Sequence, residues 1–374
     1  MVSLARSSLI YEWRRYLAAV LAITFAGLLV IVQFALLLGL FATVSVAIDK
    51  SDADLWIGFR NTQSVDLGRP IPRASDASAW MHPAVTRVER FVSAFGDLRR
   101  SDGAPIAVAI NAIDTSPGGL AFAKKLSPKQ RVILDQPNAI LIDSADQHKL
   151  GVEINSVIEI NGKRARIAGF VEGVRAVGGV NVITSFATAR SLASDTAEAV
   201  TFYLVKLKPR SDAQAVAKSI EDKASIPRYS VWLADDFSAQ SQSYWLLESG
   251  AGIGAGFASL LALIVGIVIT SQTLSGAILA SLKEFAALRA LGVSHRSLRA
   301  VVIEQALWVG TIGLVTTAVL TMIIAWLGNV LQVAMLFPEW MLVSISILLL
   351  MIALLSGLLS LRPLMKAEPA SLLR

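Results

Sequence analysis

Long uncharged hydrophobic segments constrain the fold of this chain more than any other feature of its sequence. No charged residue occurs between Tyr16 and Ile48, and none occurs between Ser249 and Leu282. A membrane-spanning helix needs about 20 predominantly apolar residues, and both segments exceed that length. Two further apolar segments follow at 299–327 and 340–361. The sequence therefore predicts four transmembrane helices.

The composition supports a membrane protein and argues against several other classes. Hydrophobic residues make up 54% of the chain and charged residues only 17%, against about 25% charged in average globular proteins. There is no cysteine, so disulfides and thiolate metal sites are excluded, and the three histidines lie far apart. We expect no metal site. The net charge of +6 is better explained by membrane topology than by nucleic-acid binding, and we expect no nucleic-acid partner.

The segment between the first two apolar runs has the character of a separate domain. Charged, proline and turn residues occur throughout 49–244. Strand-like runs include GAPIAVAINAID, NAILID, NVITS, TFYLVKLKP and YSVWLA, and Asn161-Gly162 between two alternating runs is a strong hairpin signal. Ser211 is expected to cap the helix SDAQAVAKSIEDKA. The expected fold is an α-helical membrane protein with four transmembrane helices plus an α+β extracytoplasmic domain inserted between the first and second.

The distribution of Lys and Arg predicts the orientation of the spans. Basic residues occur in three short segments: the N-terminal 1–16, the insert 283–298 and the tail 362–374. Because short cytoplasmic segments are enriched in Lys and Arg, both termini and the insert are expected in the cytoplasm. The domain 49–244 and the short loop 328–339 are then outside. The predicted spans are 17–48, 245–282, 299–327 and 340–361, and 1–16 is expected to lie as an amphipathic helix on membrane lipids.

Glycines at the start of the second span form two GxxxG pairs. Gly250 pairs with Gly254, and Gly252 pairs with Gly256. Small residues at this spacing let membrane helices approach closely, which favours a dimer or bundle interface. A nucleotide-binding glycine loop is the alternative, but GxGxxG is not matched. Glycine is also simply common in membrane helices.

The insert KEFAALRALGVSHRSL is a basic helical segment with its own apolar face. Phe285, Leu288, Leu291 and Gly292 share that face, and Lys283, Glu284 and Arg289 flank it. Gly292 can end the helix, and Ser294 can cap the following span. The residues alone leave two interpretations open: a helix that fills a groove of a partner protein, or one that lies flat on lipid headgroups.

The insert also resembles the cytoplasmic loop of FtsX-like permeases, the MacB-type class of ABC transporters. Lys283, Glu284, Leu288, Arg289, Ala290, Leu291 and Gly292 follow the family pattern in order, and Pro369 with Leu372-Leu373-Arg374 is similar to the family ending. The order of one span, a large external domain and three further spans is also that of the family. Length and shape resemble the DevC-like branch, which lacks a fused ATPase.

The resemblance implies a function and a set of partners. The insert would be a coupling helix seated in a separate ATPase subunit, with two copies of each chain, and the ATPase would bind ATP and Mg. The chain would lie in the bacterial inner membrane as a homodimer, its domain in the periplasm, joined by an adaptor and an outer-membrane channel for export. Control of a cell-wall hydrolase and lipoprotein release are the alternatives.

No catalytic role is expected for this chain itself. The sequence lacks the phosphate-binding pattern GxxxxGK[ST] and the nucleophile pattern GxSxG. A membrane-anchored enzyme would need an acid, base or nucleophile arrangement that the sequence does not indicate. We therefore expect no cofactor in this chain.

Overall fold

The computed structural model divides the chain into two compact units. It describes residue 11 and residues 13–99, 105–176, 179–193, 200–222, 229–248, 250–280, 293–331 and 333–366. One unit is helical and combines residues 1–39 with 253–374, and the other is the inserted domain, residues 40–252. The described helices are α1 (Trp13–Val44), α2 (Val46–Asp49), α3 (Ala77–Trp80), α4 (Pro128–Ile133), α5 (Ser144–Leu150), α6 (Phe186–Leu192), α7 (Ala213–Asp222), α8 (Ala234–Leu247), α9 (Ala251–Ala280), α10 (His295–Val330) and α11 (Glu339–Lys366).

The described strands all belong to the inserted domain. Short 3-10 turns occur at Val65–Leu67 and Arg73–Asp76. The strands are β1 (Leu55–Phe59), β2 (Val85–Arg99), β3 (Pro105–Ile113), β4 (Ala139–Asp143), β5 (Val157–Ile160), β6 (Lys163–Val171), β7 (Val180–Ser185), β8 (Phe202–Leu207) and β9 (Tyr229–Leu233).

Four of the described helices are long and apolar enough to cross a membrane. The candidate spans are Tyr16–Val44, Gly252–Thr273, Arg296–Val330 and Glu339–Ser356. Helix α1 packs against both α10 and α11. One buried cluster joins Tyr16, Ala19 and Ile23 to Leu298, Val302, Ala306, Val309 and Ala353, and another joins Val30, Ile31 and Ala35 to Met341, Ile345 and Leu349.

The strand β2 belongs to two sheets at once. Its first half pairs with β8, which continues through β1 to β9 in an antiparallel sheet. Its second half pairs with both β3 and β5. Because β3, β7, β4, β6 and β5 are joined in that order, β2 closes them into a ring of hydrogen-bonded strands. A shift in β2 would therefore act on both halves of the domain.

Each half of the domain has its own hydrophobic core. The ring buries Val108, Ile140, Ile142, Ile167 and Val182 together with residues of α5 and α6. The antiparallel sheet is covered on one face by α7. Its other face carries an aromatic cluster, in which Trp56 meets the rings of Phe91 and Phe202 edge-on and Trp232 stacks on Phe237 of α8 at 4.6 Å. Such aromatic pairs are worth about 0.5–1.5 kcal/mol beyond their burial.

The hairpin prediction is confirmed and one cap prediction is wrong. Asn161 and Gly162 have φ values of 51° and 74° and connect β5 to β6, as a two-residue turn with both φ positive requires. The helix α7 is capped by Asp212, not by Ser211, because the Asp212 carboxylate accepts N–H bonds from both Gln214 and Ala215. Asp212 directly precedes Ala213, the first residue of the helix, so its carboxylate lies closer to these N–H groups than the hydroxyl of Ser211 would.

The fold class predicted from the sequence is confirmed: four candidate spans with an α+β domain inserted between the first and the second. The start of the second span differs from the expected residue 245. Tyr244 to Leu247 belong to α8, a helix of the domain, and α9 begins only at Ala251. At the first helix, residues 1–10 and 12 lie outside the described residues. From Trp13 the chain is already part of α1.

Candidate functional site

The predicted coupling helix lies outside the described residues. Lys283, Glu284, Phe285, Leu288, Arg289, Leu291 and Gly292 all fall in the segment 281–292, which the structure does not describe. The description resumes at Val293, and there the predicted cap is confirmed. The side chain of Ser294 accepts the N–H of Ser297, and α10 begins at the next residue, His295. A continuous helix of 36 residues therefore begins within the insert 283–298, four residues before the expected start of the third span at 299.

The four glycines predicted for helix packing have two different environments. Gly250 has a φ of 76°, and a Cβ on Gly252 would lie 2.0 Å from the carbonyl oxygen of Leu246. Only glycine adopts the φ of Gly250 freely, so Gly250 makes the break between α8 and α9, and Gly252 in the first turn of α9 leaves room for the carbonyl of Leu246. A Cβ on Gly254 or Gly256 would meet no atom of the described part of the chain within 4 Å. Their predicted role in a dimer stays a prediction.

A close helix contact in the helical unit falls on a glycine that the sequence analysis did not single out. A Cβ on Gly266 of α9 would lie 2.8 Å from the Cβ of Ala26 of α1. Gly266 therefore allows these two helices to approach as small residues do in membrane proteins. A single glycine inside an apolar run carries no spacing pattern, which is why the search for GxxxG pairs missed it.

The chain enters and leaves the inserted domain through one polar cluster. Four residues form it: Ser45 and Asp49 beside α2, and Ser238 and Gln242 on α8; we call it the junction cluster. Asp49 accepts hydrogen bonds of 2.7 Å from both Ser45 Oγ and Ser238 Oγ. The Gln242 amide donates to Ser45 Oγ at 2.8 Å and to Ser238 Oγ at 3.3 Å. The cluster thus joins the segment after α1 to the helix that precedes α9.

Further hydrogen bonds tie α8 to the loop that follows β1. The hydroxyl of Ser241 accepts the N–H of Val65 at 3.1 Å and donates to the carbonyl of Phe237. The amide of Gln240 donates to the carbonyl of Thr62 at 2.8 Å. Together with the aromatic cluster around Phe237, these bonds fix α8 to the antiparallel sheet.

The segment after α2 is in turn held by the loop 114–125. Asp52 donates its N–H to the carbonyl of Leu120 at 3.0 Å, and Lys124 donates its N–H to the carbonyl of Lys50 at 3.1 Å. The ammonium of Lys124 also reaches the carbonyl of Asp49 at 3.0 Å. The exit of the first span is therefore bonded to α8 on one side and to this loop on the other.

Two buried charged residues hold that loop, Glu89 from β2 and Arg131 from α4. Glu89 of β2 accepts the N–H groups of Leu120 and Ala121, and the guanidinium of Arg131 donates to the carbonyls of Asp114 and Gly119 at 2.7 and 2.8 Å. Burial raises the pKa of Glu89, although the two backbone N–H groups counteract it. Burial lowers the pKa of Arg131. Because β2 is shared by both sheets, the loop connects the junction cluster to both halves of the domain.

Sequence reasoning did not find this network. One signal was available for Asp49, since it is the first charged residue after the uncharged run that begins at Tyr16. Ser238, Gln242 and Glu89 carry no such signal, because their partners lie far away in the chain.

Among the described residues no group of three or more His, Cys, Asp or Glu side chains could hold a metal ion. The arrangement is suited to holding chain segments together.

Comparison with known protein families shows which family the chain belongs to. Residues 16–223 match the MacB-like periplasmic core domain, and residues 256–369 match the C-terminal domain of FtsX-like permeases. The chain belongs to the FtsX-like permease family of the MacB type. This permease is therefore a multi-pass membrane protein of an ABC transporter family whose members work with a partner ATPase. Its inserted domain is of the periplasmic core type.

Two solved structures are similar to the inserted domain of the permease. The periplasmic region of MacB from Actinobacillus actinomycetemcomitans has 12% identity and a TM-score of 0.37, over 51% of this chain and 94% of that one. The extracellular domain of the noncanonic ABC-type transporter YknZ from Gram-positive bacteria has 10% identity and a TM-score of 0.35, over 48% of this chain and 100% of that one. No curated protein sequence matches the permease.

Proposed function

We propose that this permease is the transmembrane subunit of an ABC exporter that carries ATP-driven motion to an extracytoplasmic domain. Two copies would assemble with two copies of a separate ATPase, which binds ATP and Mg²⁺. The segment 283–292 would be the coupling helix seated in that ATPase. The protein would lie in the bacterial inner membrane, with both termini in the cytoplasm and residues 49–244 in the periplasm.

The junction cluster is the observation that carries this proposal. If the spans are to move the inserted domain, the chain segments that connect them to the domain must be bonded to it. Asp49 follows the first span directly, and Ser238 lies on the helix that precedes the second span, so the cluster joins both chain connections at the base of the domain. From there the loop 114–125 and Glu89 lead to β2. Motion of either span would reach both sheets through these contacts.

The output of the motion is proposed to be export through a periplasmic adaptor and an outer-membrane channel, as in the DevC-like branch. The same machinery could control a cell-wall hydrolase or release lipoproteins. The large domain, residues 49–244, favours export in our proposal, because the cell-division members of the family have a smaller external domain.

Purification of the tagged chain from its native membrane tests the proposal. Proteins that copurify with the tagged chain would be identified by mass spectrometry. An ATPase together with a periplasmic adaptor is the expected result. An ATPase with a wall hydrolase and no adaptor would replace export by hydrolase control. Recovery without any ATPase, under conditions that preserve other membrane complexes, would contradict the proposal.

A further inference from the structure

A cavity of about 300 Å³ lies in the inserted domain beside the end of α1. Its first wall is one face of three paired strands, where Phe95 of β2 lies opposite Ala109 of β3, and Ala109 lies opposite Asn181 of β7. Its second wall includes Val44 at the end of α1 and Val46 in α2. A volume of this size is at the lower end of the range for small-molecule sites.

Two pairs of polar side chains in the cavity wall, Asn111 with Asn181 and Asp66 with Trp245, are already hydrogen-bonded. Asn111 donates to the side-chain oxygen of Asn181 at 2.7 Å, and Asn181 donates to the carbonyl of Val174. The Asp66 carboxylate accepts the indole N–H of Trp245 at 3.2 Å. Among the described residues that line the cavity, none is Lys, Arg or His. The site is therefore built for an apolar ligand and offers no charge to hold an anion.

The mouth of the cavity exposes an aromatic ring. The side chain of Phe95 is 65% exposed, although it lies on the face of β2 that also carries buried Phe91. An exposed phenyl ring beside an apolar cavity leaves hydrophobic surface in contact with water, and an apolar ligand would cover it. Leu67, which also lines the cavity, is exposed at 42%.

The position of the cavity in the chain indicates which apolar ligand can reach it. Thr43 and Val44 line it and are also the last residues of the candidate span Tyr16–Val44. The end of a span lies at the boundary between lipid hydrocarbon and headgroups. Tryptophan is enriched at that depth, and Trp245 lines the same cavity. Hydrocarbon chains are the apolar ligands most abundant there.

We propose that this cavity binds a single acyl chain of an amphiphile, with the chain inserted past Phe95 toward Ala109 and Asn111. The chain could come from a membrane phospholipid or from a free fatty acid. The proposal goes beyond the proposed function and does not depend on it, because acyl-chain binding needs neither the ATPase nor an adaptor.

Photolabelling of the full-length chain tests the site. In one arm the chain is reconstituted in phosphatidylethanolamine–phosphatidylglycerol vesicles that contain a phospholipid with a diazirine in its acyl chain. In the other arm the chain is held in detergent with diazirine-bearing palmitic acid. Labelled peptides are identified by mass spectrometry, and labels on the cavity-lining parts of β2, β3 or α8 are expected. Labelling in the first arm identifies a phospholipid source, and labelling in the second arm alone identifies a fatty acid.

Two matched variants make the test specific. Ala109→Phe fills the cavity, whereas Ala107→Phe places the same ring two residues away on the same face of β3, at an exposed position outside the cavity. Displacing about two methylene groups weakens binding about tenfold, so Ala109→Phe should lose about nine-tenths of the label. Ala107→Phe should retain the label of the unmodified chain. Equal labelling of both variants, or labels only on parts of the spans other than Thr43 and Val44, would overturn the proposal.

Discussion

Ser238 donates a 2.7 Å hydrogen bond to Asp49, although 189 residues separate them in the chain. Asp49 lies at the end of α2, just after the first span, and Ser238 lies on α8, just before the second. The bond therefore joins the two ends of the inserted domain, where the chain enters it and where the chain leaves it. Asp49 accepts a second bond from Ser45, so its carboxylate is the centre of the junction cluster.

Ser238→Val should weaken the junction and uncouple the domain from the spans. The substitution adds one heavy atom to the side chain and removes a donor to a carboxylate, at a cost of about 1–3 kcal/mol to the free energy of unfolding. In the assembled complex we expect ATP hydrolysis to continue while export falls. Both activities would be measured in reconstituted vesicles.

Ser243→Val is the matched control, because Ser243 is an exposed residue on the same helix and its hydroxyl donates to the carbonyl of Gln240 in that helix. It should leave export and stability unchanged. If Ser238→Val and Ser243→Val export equally well, the junction cluster has no part in transmission.

Asp146 should make the domain less stable as the pH rises from about 4 to about 6. Burial first, and then the charge of Asp143, raise the pKa of Asp146 to about 6, while Lys149 and Arg175 oppose the shift. Its Oδ2 atom is buried and has no hydrogen-bond partner among the described residues. The folded domain therefore binds this proton more tightly than the unfolded chain, and the stabilisation present below about pH 4 is lost through about pH 6.

Asp146→Asn should remove this loss and stabilise the chain at neutral pH by up to about 3 kcal/mol. Thermal unfolding of the full chain in detergent, followed by circular dichroism across this pH range, measures it. Asp143→Asn is the contrasting variant, because Asp143 accepts the N–H groups of Ala145 and Val174. It should destabilise the chain, and a stabilising Asp143→Asn would contradict this account of the two carboxylates.

Gly256→Leu should weaken a dimer of the permease without disturbing the fold of one chain. No atom of the described residues lies within 4 Å of a Cβ at Gly256, whereas a Cβ at Gly266 would meet Ala26. A leucine at Gly256 is therefore expected to obstruct a contact with a second copy and to leave the described packing of one chain unchanged. Because the chain has no cysteine, a single Ile253→Cys substitution lets disulfide crosslinking report on the dimer.

Gly266→Leu is the comparison for that experiment, and it should reduce the stability of the single chain. If Gly256→Leu leaves crosslinking unchanged, this part of α9 faces lipid, and the predicted dimer contact is not there.

Leu288→Glu should uncouple the partner ATPase while the permease still folds and inserts. A carboxylate in an apolar groove is costly to desolvate, so the coupling helix would leave its seat. Ala286→Glu is the control, since a residue two positions away projects to the opposite side of a helix. If the Leu288→Glu variant shows nucleotide-dependent export at the rate of the Ala286→Glu control, this segment has no coupling role.

The parts of the fold that depend on local patterns were predictable, and those that depend on distant pairing were not. The turn Asn161-Gly162 and the cap Ser294 were predicted because each acts on neighbouring residues. The strand β2 was missed because Arg87, Glu89 and Arg90 interrupt its apolar residues. Only the structure shows that the charge of Glu89 is bonded to a distant loop. The ring of strands depends on pairings that no local pattern records.

The residues of the candidate site also differ in whether a local sequence pattern marks them. The family motif in 283–292 is a resemblance in residue order, and its coupling role stays a prediction because those residues lie outside the described part of the chain. No local pattern marks the junction cluster, because Ser238 and Gln242 are ordinary polar residues of α8 until the fold brings them to Asp49 and Ser45. The sequence analysis assigned Trp245 to Leu247 to the second span, whereas these residues belong to α8. The positive φ of Gly250 separates the two helices.

Nucleotide-dependent movement of the inserted domain is the most direct test of the account. Because the chain has no cysteine, a single Lys129→Cys substitution allows a spin label to be placed on α4 in each copy of the assembled complex. Pulsed electron resonance would measure the distance between the two labels with and without ATP and vanadate. We predict a nucleotide-dependent distance that Ser238→Val abolishes and Ser243→Val retains. A distance that nucleotide does not change, in a complex that hydrolyses ATP, would contradict the central claim.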